Sequence, residues 1–146
     1  MAATELAQYP EFTLKHAGDS SFTTPTTIAR VSSFTINDSF DVQSVDDFDA
    51  AIGTIIDQVL GGRTVTISFD ANLVIGDAGF VAINDDYKAG TYSYFEVAMV
   101  DTETTTSTWT QQFGGYWSQR NVSGQKPVAT TSWQFVASEV VSDAIT

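Results

Sequence analysis

The chain of 146 residues contains one histidine and no cysteine. Those two counts narrow the chemistry it can perform. Histidine is the usual general base near neutral pH. His16 lies in His16-Ala17-Gly18-Asp19-Ser20-Ser21, which reads as a surface loop rather than a catalytic pocket. Without cysteine there is no thiol nucleophile, thiolate metal site or disulfide. No Gly-x-Ser-x-Gly elbow, His-Glu-x-x-His pair or phosphate-cradling glycine loop occurs. Among 18 acidic residues no spacing singles out a carboxylate pair for glycosidic cleavage. The acidic group Asp38, Asp41, Asp46, Asp47 and Asp49 lacks the central glycine and terminal glutamate of a calcium loop. It reads better as a solvated or pore-facing acidic surface. The expectation is a protein that is not an enzyme and holds no metal or cofactor. Asn121-Val122-Ser123 matches a glycosylation sequon, but no secretory leader accompanies it.

Charge sets a second bound. Eighteen acidic residues against 6 basic give a formal net charge of -12. Such a field repels polyanions, so binding to nucleic acid through phosphate neutralisation is not expected. Two readings remain: solubility, or a surface that lets a polyanion pass without sticking. The first residues, Met-Ala-Ala-Thr-Glu-Leu-Ala-Gln, have neither a basic stretch nor an apolar core, and no apolar run reaches membrane-spanning length. A cytoplasmic origin without membrane insertion is expected.

The elements that would carry such a surface are mostly strands. Residues 92–100, 107–117 and 128–137 are rich in aromatic and β-branched side chains and alternate in polarity. Phe95, Val97 and Met99 share one face, as do Trp133 and Phe135. The three runs form an antiparallel meander holding all 3 tryptophans. Gly114-Gly115 inside a strand signals a bulge, a bend or a close backbone approach. Residues 63–70 are a further strand with Val65, Ile67 and Phe69 inward and Thr66, Ser68 and Asp70 outward. Earlier, residues 11–15 read as a weak strand. Residues 26–36 and 39–45 read as a hairpin turning at Asn37-Asp38, with Phe40 and Val42 inward. Asp77 caps a helix through about Lys88 that ends at Ala89-Gly90, its apolar side Phe80, Ala82, Ile83 and Tyr87. Residues 46–62 place Phe48, Ile52, Ile55, Ile56 and Val59 at helical spacing, as a short amphipathic helix or a long connection with one apolar face. No repeat or linker interrupts the chain. The whole reads as one β-sandwich or barrel domain with a flanking helix, a polar arm at residues 1–9 and a tail at 139–146.

The order of these features resembles the major tail tube proteins of long-tailed, non-contractile bacteriophages. The resemblance rests on Thr27-Ile28-Ala29-Arg30-Val31-Ser32-Ser33-Phe34 followed by Phe40-Asp41-Val42-Gln43-Ser44-Val45-Asp46. It continues in Leu60-Gly61-Gly62-Arg63-Thr64-Val65-Thr66-Ile67-Ser68-Phe69-Asp70 and in Gly76-Asp77-Ala78-Gly79 opening the helix. The closing pair is Trp109-Thr110-Gln111-Gln112-Phe113-Gly114-Gly115-Tyr116 and Ser132-Trp133-Gln134-Phe135-Val136-Ala137-Ser138. The similarity spans about residues 25–140. Where the family's closing strand often ends in Ser-Gly, Ser138 here precedes Glu139.

The resemblance implies a homo-hexameric ring whose copies stack into a tail tube in the virion, assembled in the host cytoplasm. It implies as partners a tape measure protein inside the tube, tail-tip and tail-terminator proteins at its ends, and DNA in transient, non-specific passage. On that reading Asp41, Thr66, Ser68, Asp70 and Glu96 are lumen-facing candidates. Phe48, Ile52, Ile55 and Ile56 are ring-stacking candidates, with residues 46–62 as the inter-ring connection. The same fold serves the inner tube of contractile machines. The alternative is a carbohydrate-binding or adhesin-type β-sandwich, in which exposed Trp109, Tyr116 and Trp117 would stack on sugars.

Overall fold

A computed structural model describes residues 11–44, 58–100 and 107–146. Its elements in chain order are β1 (Glu11–Ala17), β2 (Thr26–Thr27), β3 (Val31–Ser44), β4 (Gln58–Asn72), α1 (Ala78–Ala89), β5 (Ser93–Val100), β6 (Thr108–Gln125) and β7 (Val128–Ile145). They form one antiparallel sheet of seven strands, in the order β2-β1-β5-β6-β7-β4-β3. The meander expected at the carboxyl-terminal third is β5-β6-β7.

The sheet folds back on itself because β6 and β7 are long enough to serve two layers. Residues 108–115 of β6 pair with β5, while residues 116–125 run on beyond it. Residues 130–137 of β7 pair with β4, and the tail continues in β7 to Ile145 opposite Trp109. One layer is therefore β2-β1-β5 with the first half of β6 and the end of β7. The other is the second half of β6, the first half of β7, β4 and β3. The crossing point is Gly114-Gly115, where the β6–β7 register shifts. A Cβ on Gly115 would lie 2.1 Å from the Val136 carbonyl oxygen, so only glycine lets the two backbones approach this closely.

The inward residues close the space between the layers. Phe69 of β4 stacks on Phe95 of β5 at 5.7 Å, and Trp117 meets Phe95 edge-on at 5.1 Å. Ile67, Phe95, Val97 and Phe135 are fully buried, and Trp133 nearly so. The odd-numbered positions read inward from β4, β5 and β7 are the core, as alternation requires.

Helix α1 covers the open side of this core. Asp77 accepts from the Phe80 amide, and Gly90 ends the helix in the left-handed region at φ 67°. Ile83 is fully buried, and Phe80 and Tyr87 pack edge-on against Trp133. Gly79 lets the first turn sit on β2: an added Cβ would lie 2.6 Å from the Thr27 carbonyl oxygen and 2.8 Å from Ile28 Cα. Glycine-to-alanine in a helix ordinarily gains about 1 kcal/mol. Here backbone atoms block the methyl group, and overpacking costs about 1–3 kcal/mol. Gly79→Ala is therefore expected to lower the unfolding midpoint in denaturant, whereas Ala78→Gly lowers it through propensity alone.

Several expectations from the sequence are corrected. Asn37-Asp38 is not a turn. β3 runs straight through it, because Asn37 pairs with Thr66 and Asp38 meets Arg63 across the strand. Residues 26–36 and 39–45 do not form a hairpin with each other; β3 pairs with β4. Phe40 and Val42 are not inward but 49% and 52% exposed, since the β3–β4 hairpin extends past the end of the core. Residues 58–62 of the presumed helical segment open β4, and the rest of that segment lies outside the described residues. His16 is not in a loop. It is a buried residue of β1, with Nε2 2.5 Å from Asp86 Oδ2 of α1, and Ser93 Oγ donates to the same oxygen at 2.6 Å. Aspartate bridges histidine and serine here, so this is a polar tie between helix and sheet, not a nucleophile activated by a base.

Candidate assembly surfaces

Alternation along β4 turns Thr64, Thr66, Ser68, Asp70 and Asn72 away from the core. Register places Ser33, Thr35, Asn37 and Ser39 of β3 on one side of them and Ser132 and Gln134 of β7 on the other. Asn121 of β6 lies across from Ser132, and Gln119 from Gln134. The outer face of this four-stranded layer is thus mostly hydroxyls and amides, interrupted by Val136, which pairs with Thr66 and is 39% exposed across from Tyr116. Asp70 sits within it, accepting from Ser132 Oγ at 2.6 Å and Ser33 Oγ at 3.4 Å. Asp41 shares the β3 positions of Asn37 and Ser39 by alternation. Among the described residues no lysine or arginine stands on this face: Arg63 and Arg120 occupy inward-parity positions opposite Phe40 and Trp133.

The lumen candidates therefore divide. Thr66, Ser68 and Asp70 are neighbours, with Asp41 farther along the same face. Glu96 lies on the outer face of the other layer, across from Lys15, where it accepts from Gln112 Nε2 at 2.8 Å. The core separates the two faces. The stacking candidates Phe48, Ile52, Ile55 and Ile56 lie outside the described residues, as does the arm at residues 1–9.

The four-stranded layer has two long edges. β3 pairs only with β4, and residues 116–125 of β6 pair only with β7 among the described residues. An unpaired edge offers a row of backbone donors and acceptors to another strand. Neither edge is shortened, proline-blocked or guarded by lysine, although Arg120 lies on β6 and donates to Asn84 of α1 at 2.6 Å.

Beyond the layer, β3 and β4 project as an arm. Arg63 donates to both carboxylate oxygens of Asp38, at 2.8 and 2.5 Å, and its guanidinium lies 5.5 Å from the Phe40 ring centre. The Arg63 hydrogen bond holds the Asp38 carboxyl below its ordinary range. The pair is exposed, so solvent screening leaves it the small worth of a surface ion pair.

At the crossing point a tyrosine cluster overlies Gly114. Tyr92 is edge-on to Tyr94 and Tyr116, at 5.4 and 5.1 Å, and its hydroxyl donates to Glu139 Oε1 at 2.9 Å. Partial desolvation and then the Glu139 carboxylate push the Tyr92 hydroxyl up to about 12 from 10.0. The fold thus favours the neutral phenol. That contribution is complete below pH 10 and is lost as pH rises through about 12. Alkaline absorbance titration is expected to place the Tyr92 ionisation well above 10.0, and Glu139→Gln is expected to lower it. Nothing in the sequence signalled that a carboxylate from β7 would arrive beside Tyr94.

The row required for sugar stacking is broken. Trp117 is buried in the core, and the exposed Trp109 is held by its Nε1 donating to Asp143 at 2.7 Å. Tyr116 is exposed but belongs to the tyrosine cluster.

The architecture is that of tail tube proteins. Three solved structures share it. The SPP1 tail tube superposes with a TM-score of 0.67 at 17% identity, over 93% of this chain and 76% of that one. The tail of the empty GTA particle, refined with C6 symmetry, gives 0.67 at 14% identity over 92% and 93%. The PVC sheath–tube complex of an extracellular contractile injection system in its extended state gives 0.63 at 13% over 99% and 95%. No protein-family model and no curated protein matches the chain. The likeness is one of fold, carried with little sequence identity.

Proposed function

We propose that the chain is a structural protein of a bacteriophage or phage-like tail tube, a virion component assembled in the host cytoplasm. The observation that carries this reading is the four-stranded layer with two open edges and a polar outer face free of cations among the described residues. Its strands alternate in direction, β6 against β7 against β4 against β3. A rotation about an axis running along the layer preserves each strand's sense. The β6 edge of one copy then meets the β3 edge of the next antiparallel, and the pattern continues without a break. Such contacts are head-to-tail and close into a ring.

Six copies, the symmetry of the GTA tail, make a barrel of twenty-four strands. With strands about 4.8 Å apart and tilted by about 40°, its backbone diameter is roughly 45–50 Å. Barrels of 16–18 strands already leave an aqueous channel. Thr66, Ser68, Asp70 and Asp41 would line this one, while Glu96 would stand on the outer wall. Such a lining offers no cation to phosphate, so a duplex passes without forming ion pairs that release counterions. The tube would enclose a tape measure protein, with tail-tip and tail-terminator proteins at its ends. Residues 46–62 remain the proposed inter-ring connection.

Imaging of the purified protein by negative stain at high concentration tests the reading. Rings with six-fold symmetry or stacked tubes are expected. A chain that stays monomeric in sedimentation at all concentrations, even with tail-tip components added, contradicts it.

A further inference from the structure

The layer that contains β1 and β5 carries aromatic rings and a carboxylate around a glycine. Register sets Ala17 of β1, Tyr94 of β5, Gly114 of β6 and Glu139 of β7 side by side in one row. The Tyr92 ring stands at 72° to Tyr94 and at 89° to Tyr116, with centroids 5.4 and 5.1 Å away. Two rings set nearly at right angles present two π faces to the corner between them. Tyr116 is 48% exposed, so this corner opens to solvent. Glu139 Oε1 accepts from the Tyr92 hydroxyl at 2.9 Å, and its Oε2 has no partner among the described residues. Gly114 keeps the floor clear, because a Cβ there would lie 2.7 Å from both Glu139 Oε1 and the Tyr92 hydroxyl. A fourth ring joins at a local cost. Phe22, in the loop between β1 and β2, adopts φ 51°, a backbone region that bulky residues seldom occupy. Asp19 holds that turn, accepting from the Thr23 amide at 3.2 Å and the Thr23 hydroxyl at 2.7 Å. The Phe22 ring is thereby set edge-on to Tyr94 at 6.2 Å.

Ring faces beside a carboxylate attract a cation. The chain fills one such arrangement itself: Arg63 lies 5.5 Å from the Phe40 ring centre and binds Asp38. Arg120 likewise lies over Tyr87, at 5.1 Å. The chain's 6 basic residues are Lys15, Arg30, Arg63, Lys88, Arg120 and Lys126, and all of them are described. None lies over Tyr92, Tyr94 or Tyr116. Lys15 stands two residues along β1 from Ala17, across from Glu96. Arg63 lines a cleft of about 180 Å³ together with Glu139, but both carboxylate oxygens of Asp38 hold it. Glu139, Glu96 and Asp19 outnumber Lys15 around the row, so the surroundings are net acidic. A cation for this corner comes from another molecule.

We propose that the corner between Tyr92 and Tyr116 is a docking site for an arginine side chain of a different, basic protein. The guanidinium plane lies on one tyrosine face, an N–H edge turns to the ring at right angles, and a further N–H donates to Glu139 Oε2. Charge and shape select this occupant. The field of a chain with net charge -12 draws a basic partner and repels a polyanion. A sugar stacks on a single flat platform, and rings crossed at 72° and 89° form none. The site itself stands without the tube reading. That reading sets only where the partner runs, along the outer wall that also carries Glu96.

Ring ¹³C signals of the 5 tyrosines of the full chain, followed by NMR as L-argininamide is added, test the site. Signals of Tyr92, Tyr94 and Tyr116 are expected to shift together and to saturate, while Tyr87, already beneath Arg120, holds still. Glu139→Gln and Tyr116→Ala are each expected to weaken binding about three-fold or more. Glu96→Gln removes the same charge two residues along β5 and is expected to leave binding unchanged. Sodium chloride at equal ionic strength is expected to produce no saturating shift. Equal weakening by Glu139→Gln and Glu96→Gln would assign the effect to bulk charge and overturn the proposal. Shifts that never saturate overturn it as well. Saturation by methyl glucoside in place of L-argininamide assigns the rings to a sugar and likewise overturns it. None of these outcomes touches the tube reading, which is decided by imaging. Saturable, Glu139-dependent binding in protein that forms no rings supports the site and counts against the tube alone.

Discussion

A chain carrying Gly115→Ala is expected to lose at least about 3 kcal/mol of folding stability, enough to leave most of a marginal domain unfolded. The methyl group would stand 2.1 Å from the Val136 carbonyl oxygen, 2.8 Å from Ala137 Cα and 3.0 Å from Ser138 N. All three are backbone atoms of the paired strand, so no rotamer change relieves them. The strands must separate where β6 passes from one layer to the other, and the register on both sides of the bulge depends on that contact. Gly114→Ala provides the internal comparison. Its methyl group meets Glu139 Oε1 and the Tyr92 hydroxyl, each at 2.7 Å, and Tyr94 Cε1 at 2.9 Å. Those are side-chain atoms that can swing away, so the cost is about that of the Tyr92–Glu139 hydrogen bond, roughly 1 kcal/mol. Urea denaturation of the two variants checks the order. Equal midpoints would show that the two layers do not depend on the Gly115 contact.

Asp70→Lys is expected to turn assembled tubes from DNA-repelling to DNA-retaining. The substitution changes the charge by two on a face where no cation stands among the described residues, and in the proposed ring, symmetry would repeat it around the channel. Each lysine that neutralises a phosphate releases counterions, so retention falls steeply with salt, with a log–log slope of about -0.9 per contact. Glu96→Lys makes the same charge change on the other outer face, behind the core. It is expected to leave DNA passage and its salt dependence unaltered while tubes still form. DNA retention by assembled tubes of each variant, measured across a salt series, separates position from net charge. Equal effects of the two substitutions would show that bulk charge, not the hydroxyl-rich face, governs passage.

Much of the fold was legible because the strands declare themselves by alternation. Phe95 and Val97, Val65, Ile67 and Phe69, and Trp133 with Phe135 lie inward as their spacing requires, and the Asp77 and Gly90 caps bound the helix as read. Gly114-Gly115 signalled a bulge, a bend or a close backbone approach, and the β6–β7 register shifts there. Failures arose where pairing partners decide what local sequence cannot. Asn37-Asp38 has turn composition, yet Asn37 pairs with Thr66 and Asp38 with Val65 of β4, and Arg63 binds the Asp38 side chain diagonally. Phe40 and Val42 alternate like core residues, but alternation does not reveal where the second layer ends. His16 looked like a loop residue because its partner Asp86 is far away in sequence. The lumen candidates were read strand by strand, which identifies outward positions but not which outward face. Only the layer arrangement sets Glu96 apart from Thr66, Ser68 and Asp70.

The proposed ring depends on the pairing of the β3 edge of one copy with the β6 edge of the next, and the absence of cysteine makes that pairing directly measurable. Single cysteines introduced at Ser33, Thr35 or Asn37 on β3 and at Gln119, Asn121 or Ser123 on β6 form a small matrix of paired variants. Two such positions can bridge only if their Cβ atoms come within about 4.5 Å. Within one copy these two edges are separated by the breadth of β7 and β4. Oxidation of at least one pairing in assembled protein is expected to yield a ladder on a non-reducing gel that stops at a closed six-membered ring. Monomers throughout the matrix, in protein that imaging shows to be assembled, would contradict the account.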